Sequence, residues 1–139
     1  MNTGVITITP DEDVYEAMRL MALNNITGLP VIDDSGSLLG MITEKDILVL
    51  LWNNLEHTNM DDAVGTVGQF MTRRVIGFSP EDTLADIAEC LSTNDFRRVP
   101  IVYDGKLIGI ISRKDVIRYI RDLQQQDEVM KDSILELLY

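Results

Sequence analysis

The chain has 139 residues, a net charge of −11 and one cysteine. That length suits one compact unit or two small halves with a real core, and the acidic balance argues against a nucleic-acid or anionic-membrane surface, which needs clustered Lys and Arg. No run of 18 apolar residues and no charged-then-apolar leader is readable, so neither a membrane span nor a signal peptide is expected.

Val5 to Thr9 is a short β-rich run. Thr9-Pro10-Asp11-Glu12 then supplies a hydroxyl, a proline at N1 and an acid at N3, which predicts a helix starting at Thr9. Val14, Ala17, Met18, Met21 and Ala22 recur at helical spacing and form its apolar stripe. Asn24-Asn25 and Gly28 are expected to end it. Leu29-Pro30-Val31-Ile32 reads as a strand and Asp33-Asp34-Ser35-Gly36 as a turn, with Ser37 to Ile42 as the partner strand. Thr43 then caps a second helix, whose buried face is predicted to be Ile47, Leu48 and Leu51. Asn53 to Gly68, which includes the only histidine, His57, is polar and turn-rich; it reads as a linker, with a short helical piece at Met60–Val64.

The pattern then repeats. Ser79-Pro80-Glu81-Asp82 follows Thr9-Pro10-Asp11-Glu12 by 70 residues, and Leu84, Ile87, Ala88 and Leu91 follow Val14, Ala17, Met18 and Met21 at the same offset. Pro100 matches Pro30. The turn Tyr103-Asp104-Gly105 is one residue shorter than its counterpart, so the offset falls to 69 for Gly109, Ser112 and Asp115 against Gly40, Thr43 and Asp46. Val116, Ile117 and Ile120 match Ile47, Leu48 and Leu51. Matches in one order, with the shift falling in a turn, define an α+β fold built as a tandem βαββα repeat. The divisions are 1–55 for the first repeat, 56–68 for the linker, 69–123 for the second repeat and 124–139 for a tail. In that tail Met130, Ile134, Leu137 and Leu138 recur at helical spacing.

The stretch Gly40-Met41-Ile42-Thr43-Glu44-Lys45-Asp46, and its copy Gly109-Ile110-Ile111-Ser112-Arg113-Lys114-Asp115, carries the chemistry. A hydroxyl at the N-cap with an acid at N3 is a capping box. The same geometry offers a nucleotide free N–H groups and a positive dipole end for phosphate, and a carboxylate for ribose hydroxyls. Both readings stand at this level. Cys90 on a helix reads as an inert thiol, and a chain with a single cysteine builds no disulfide framework, which fits a cytoplasmic setting. Trp52 and the Met18/Met21 pair read as core or dimer-face packing. No nucleophile–base pair, metal cluster or Gly-rich phosphate loop is visible, so no enzymatic activity is expected.

The Ile8-Thr9-Pro10 and Phe78-Ser79-Pro80 entries, Leu29-Pro30-Val31-Ile32-Asp33, Val99-Pro100-Ile101-Val102, the two Gly-x-x-Thr/Ser-x-x-Asp segments and the lead-in Gln69-Phe70-Met71-Thr72 together resemble the tandem cystathionine-β-synthase (CBS) domain pair, or Bateman module. The resemblance covers about residues 3–122. It implies two CBS motifs packed as a pseudo-twofold pair through their sheets, with two clefts that bind AMP, ADP or ATP, and sometimes S-adenosylmethionine, as regulatory ligands. No obligatory cofactor is implied. By that resemblance Asp46 and Asp115 hold ribose hydroxyls, and Thr43 and Ser112 face phosphate. Adenine is received by the strands around Thr7 (Val5–Thr7) and Ile76–Phe78, beside the Pro30 and Pro100 hairpins. The basic pair Arg97-Arg98 contacts phosphate.

The two sites are not equivalent. Where the second repeat has Arg97-Arg98, the first has the uncharged Thr27-Gly28. A helix N-terminus alone gives a phosphate about 0.3–1 kcal/mol, against about 1.5–3 kcal/mol for a charge-assisted bond from Arg. In the family this pair reaches across to the other repeat's ligand, which favours the Asp46 cleft. Arg73, Arg74, Lys45, Arg113 and Lys114 are further candidate cations. The expected function is a small-molecule-sensing module that transmits occupancy to an unidentified protein target. The alternative is a ligand-free dimerisation or interaction module with degenerate clefts. A homodimer is expected from the apolar helix Ile47–Trp52 and the tail.

Overall fold

The computed structural model describes residues 4–54, 65–73, 75–94 and 96–125. The chain forms two compact units. One comprises Ile6–Val75, and the other Ile76–Tyr139 together with Met1–Val5. The predicted helical piece at 60–64 and the tail from 126 onward lie outside the described residues.

In the unit Ile6–Val75, helix α1 (Val14–Asn24) precedes the antiparallel hairpin of β1 (Gly28–Ile32) and β2 (Leu38–Thr43), then α2 (Glu44–Asn54) and the short α3 (Val67–Phe70). The register sets Leu29 opposite Ile42 and Pro30 opposite Met41, with an irregularity between Val31 and Ile32. The turn is tied by Asp33, whose Oδ1 accepts from Ser35 N (2.9 Å), Ser35 Oγ (2.7 Å) and Ser37 N (3.0 Å). Pro30 costs the hairpin nothing. Its partner Met41 turns its own N–H and C=O away from β1, toward Thr72, so no ladder bond is lost where proline lacks a donor. The expected strand over 5–9 is reduced to one parallel bridge, with Ile8 N donating to Pro30 O (3.1 Å) and Ile32 N to Ile8 O (2.9 Å).

The second unit repeats this plan with α4 (Leu84–Thr93), β3 (Arg98–Tyr103), β4 (Lys106–Ser112) and α5 (Arg113–Gln125). Phe78 repeats the Ile8 bridge, donating to Pro100 O (3.0 Å) and accepting from Val102 N (2.7 Å). The hairpin turns on Asp104 (φ 53°) and Gly105 (φ 76°), two left-handed residues of the kind that match strand twist.

Both helix starts fall four residues later than the hydroxyl–proline pattern predicts. Thr9–Glu12 makes only a turn, and α1 is capped by Asp13, which accepts from Tyr15 N at 2.8 Å. For α1 the reason is tertiary. Pro10 O accepts from Gly68 N (2.8 Å), Glu12 O accepts from Val67 N (2.8 Å), and Val14 N donates to Gly65 O (3.0 Å). The backbone of 10–14 is thereby committed to 65–68 instead of a first helical turn. Ser79–Asp82 likewise closes on itself, with Ser79 N donating to Asp82 Oδ2 at 2.7 Å, and Thr83 caps α4 through a box with Asp86. At its far end α1 stops on Asn25 in the left-handed region (φ 53°), with the N–H groups of Asn25 and Ile26 both reaching Met21 O. Gly28, expected to end α1, belongs to β1.

Each unit has its own core. Val14, Ala17, Met21, Leu29, Val31, Ile42, Ile47, Leu50, Val67 and Met71 fill the first; Leu84, Ile87, Leu91, Val99, Ile101, Ile111 and Val116 fill the second. Within the Gln69–Thr72 stretch, read as the lead-in to the second repeat, Phe70 and Met71 pack on the core of the first unit, whereas Gln69 and Thr72 are exposed. The buried arc of each helix is narrower than the sequence stripe. Ala22 is exposed and Met18 only partly buried. Leu48 and Ile117, expected inside, are 63% and 67% exposed, while Leu50 takes the interior place beside Ile47. Trp52 is 76% exposed and is not core packing.

Candidate functional site

The hydroxyl–acid segments sit where each hairpin passes into a helix. The strand end is held by the residue before the opposite strand: Glu44 N donates to Thr27 O, and Arg113 N to Arg97 O, both at 2.9 Å. Two equal junctions 69 residues apart place Thr43 and Ser112 at the same structural position.

At the first junction, Asp46 Oδ2 accepts from Thr43 N (2.9 Å) and Thr43 Oγ1 (3.0 Å), and Asp46 N donates back to Thr43 Oγ1 at 3.3 Å. The second oxygen is also engaged, since Thr72 Oγ1 donates to Asp46 Oδ1 at 3.0 Å. Thr72 is held there by two backbone bonds, Met41 N to Thr72 O (2.9 Å) and Thr72 N to Met41 O (2.8 Å). Gly40 makes this approach possible. A Cβ on it would collide with the Thr72 carbonyl oxygen and stand 3.2 Å from its carbonyl carbon.

At the second junction, Asp115 Oδ2 accepts from Ser112 N (2.9 Å), and Asp115 N donates to Ser112 Oγ (3.2 Å). Among the described residues the other oxygen meets only the exposed Arg118, Nη1 to Oδ1 at 3.8 Å. Arg98 opens β3 half-buried, and its Nε is enclosed with no hydrogen-bond partner among the described residues. Burial pushes the guanidinium below its usual pKa; the Asp115 carboxylate opposes that shift and neighbouring Arg97 adds to it. A buried donor left unmade costs about 1–3 kcal/mol, so Arg98 Nε is a position primed for an acceptor.

The capping-box geometry is therefore real at both junctions. It fixes each carboxylate in one orientation. The candidate residues divide between the units. Thr7, Pro30, Thr43 and Asp46 belong to the first, and Ile76, Phe78, Arg97, Arg98, Pro100, Ser112 and Asp115 to the second. Pro30 and Pro100 are buried within their hairpins, Ile76 is 48% exposed, and Phe78 packs on the second core. Arg97 is exposed. Of the other cations, Arg73 donates to Gly68 O (3.3 Å) and Arg113 to Asn94 O (2.9 Å); Lys45 and Lys114 are exposed, and Arg74 lies outside the described residues. Thr72 is the residue that sequence reading missed as a partner of Asp46, because nothing in local spacing links positions 26 apart. Among the described residues no group of three or more His, Cys, Asp or Glu could hold a metal ion, and no helix is long and apolar enough to cross a membrane.

Two units of one plan, each ending its hairpin on a hydroxyl–acid box, define a duplicated domain. The chain belongs to the CBS domain family, whose sequence pattern matches residues 1–53 and 67–122. Protein MJ1225 of Methanocaldococcus jannaschii is 32% identical over 120 residues, which is 86% of this chain and 41% of that protein. Its crystal structure superposes with a TM-score of 0.79 at 33% identity, covering 86% of this chain and 45% of that one. The Arabidopsis thaliana chloroplastic protein CBSX2 is 30% identical over 144 residues, 87% of this chain and 60% of that protein. Its crystal structure in complex with AMP has a TM-score of 0.76 at 34% identity, covering 87% and 90% of the two chains. The CBS domain pair of protein MJ0100, solved with 5′-methylthioadenosine and S-adenosyl-L-methionine, has a TM-score of 0.73 at 28% identity over 88% and 92%. The chain spans less than two thirds of the length of the curated proteins MJ1225 and CBSX2. CBS-domain pair proteins are generally regulatory and not catalytic.

Proposed function

We propose that this chain is a regulatory module that binds an adenosine-bearing ligand (AMP, ADP or ATP, with S-adenosylmethionine as the alternative), passes occupancy to a protein target and carries out no chemistry of its own. Asp46 and Asp115 accept ribose hydroxyls, and Thr43 and Ser112 stand beside the phosphate. Thr7, Ile76 and Phe78 lie along the segments that receive the base. The observation that carries the reading is Arg98, a half-buried cation with an unmade buried donor and Asp115 as its opposing charge. That pairing supports Asp115, in preference to Asp46, as the carboxylate that Arg98 serves. The AMP complex of the relative CBSX2 supports the ligand class. A cytoplasmic setting is part of the same reading.

Calorimetric titration with AMP of the unaltered chain, Asp46→Ala, Asp115→Ala and the double variant tests it. Loss of the ribose carboxylate at an occupied junction weakens binding by at least about tenfold, or roughly 1.4 kcal/mol. Unchanged affinity in both single variants and the double variant refutes the ribose assignment.

A homodimer is the second element of the proposal, supported by one face of α2. Leu48, Val49 and Trp52 are 63%, 52% and 76% exposed and lie together opposite the buried Ile47 and Leu50. Sedimentation of Trp52→Lys against the unaltered chain tests it, and a chain that is monomeric at high concentration without any substitution refutes it.

A further inference from the structure

Thr72 brings a hydroxyl donor to Asp46 from 26 residues away. Its hydroxyl donates to Asp46 Oδ1 at 3.0 Å, and Thr43 supplies two donors to Oδ2. Asp115 differs, because the described contact of its Oδ1 is the exposed Arg118 at 3.8 Å. Thr72 is not an idle neighbour. A reciprocal pair of backbone bonds to Met41 (2.9 and 2.8 Å) clamps it against β2, and Gly40 clears the space for that clamp. Three residues further on, at Val75/Ile76, the chain leaves the first compact unit for the second.

We infer that Thr72 is an affinity-setting residue for the first-repeat carboxylate: its hydroxyl competes with a ligand hydroxyl for Asp46 Oδ1. The inference rests on the assignment of Asp46 to a ligand's ribose. A vicinal diol presents two O–H donors to one carboxylate. Thr72 already supplies one donor of the same type, so binding exchanges one hydroxyl for another at Oδ1 and the gain there is small. Asp115 carries no such internal competitor among the described residues, so the two junctions are set to different affinities by one side chain.

The test uses AMP as the probe and isothermal titration calorimetry of the full chain in an Asp115→Ala background, which leaves Asp46 as the carboxylate being read. Thr72→Val keeps the shape and removes the hydroxyl. Thr72→Ser keeps the hydroxyl. A hydroxyl–carboxylate bond at the surface corresponds to about a three- to tenfold effect, so Thr72→Val binds AMP three- to tenfold more tightly, and Thr72→Ser binds as the parent does. Unchanged or weaker binding by Thr72→Val overturns the inference and leaves the nucleotide reading intact, as does a parent that binds AMP only through Asp115. If the chain with both carboxylates intact binds no AMP, the nucleotide reading falls first and this inference with it.

Discussion

Gly40→Ala is the substitution whose cost can be worked most directly from the structure. A Cβ at position 40 collides with the Thr72 carbonyl oxygen and lies 3.3 Å from Arg73 Cα, so backbone must move on one side or the other. The contact at risk is the reciprocal Met41–Thr72 pair, two bonds of 2.9 and 2.8 Å. At about 0.5–1.5 kcal/mol net for each bond, losing both costs about 1–3 kcal/mol. Forcing an extra carbon into a filled space independently costs about 1–3 kcal/mol. The stiffer unfolded chain returns about 0.4–1 kcal/mol. The net loss expected is about 1–5.6 kcal/mol, read as a lower urea midpoint with unchanged slope. Gly77→Ala is the control. Its Cβ would meet nothing nearer than Val102 Cγ2 at 3.5 Å, so stability should stay within about 0.5 kcal/mol. If the two variants unfold at the same urea concentration, the close approach of Thr72 to β2 does not hold the first unit together.

Two further outcomes follow from the cores and turns. Ile47→Ala, at 7% exposure, should lose about 2–5 kcal/mol, whereas Leu48→Ala, at 63%, should stay within about 0.5 kcal/mol at protein concentrations that keep the chain monomeric; equal losses would mean the α2 face is assigned wrongly. Asp33 has its pKa lowered by the Ser35 side chain first and the Ser37 N–H next. Its stabilising contribution is therefore full above the ordinary aspartate value of about 3.9 and is lost as the pH falls through the lower folded-state value. The melting advantage of the unaltered chain over Asp33→Asn should shrink across that acid range, and an advantage constant down to pH 2 would contradict it.

Much of this architecture is legible in the sequence, for reasons that differ by element. The hairpins are local: Asp104-Gly105 supplies two left-handed positions in succession, and the Asp33 carboxylate can reach Ser35 and Ser37 within its own turn. The duplicated Thr43/Asp46 and Ser112/Asp115 boxes are also local, spanning three residues each. The start of α1 departs from its local cues because a distant segment intervenes. Thr9-Pro10-Asp11-Glu12 carries every cue of an N-terminus, yet residues 65–68 take its backbone groups. Thr72 was invisible as a partner of Asp46 for the same reason. Leu48 and Ile117 show a different limit. Apolar residues are often found at surfaces, so helical spacing alone does not say which edge of a wide stripe turns outward. The half-buried state of Arg98 depends on how β3 packs and has no signature in the Arg97-Arg98 pair itself.

A thermal-shift series with AMP, ADP, ATP, S-adenosylmethionine and inorganic phosphate addresses the central claim most directly. A ligand at about 100 times its dissociation constant adds roughly 2.7 kcal/mol, which raises the melting temperature of a domain this size by several degrees. The account predicts such a rise with at least one adenosine-bearing ligand, none with phosphate, and its loss in the Asp46→Ala/Asp115→Ala double variant. No rise with any of the four ligands, on a chain that melts cooperatively, would contradict the sensing function and leave two CBS domains whose hydroxyl–acid boxes only cap their helices.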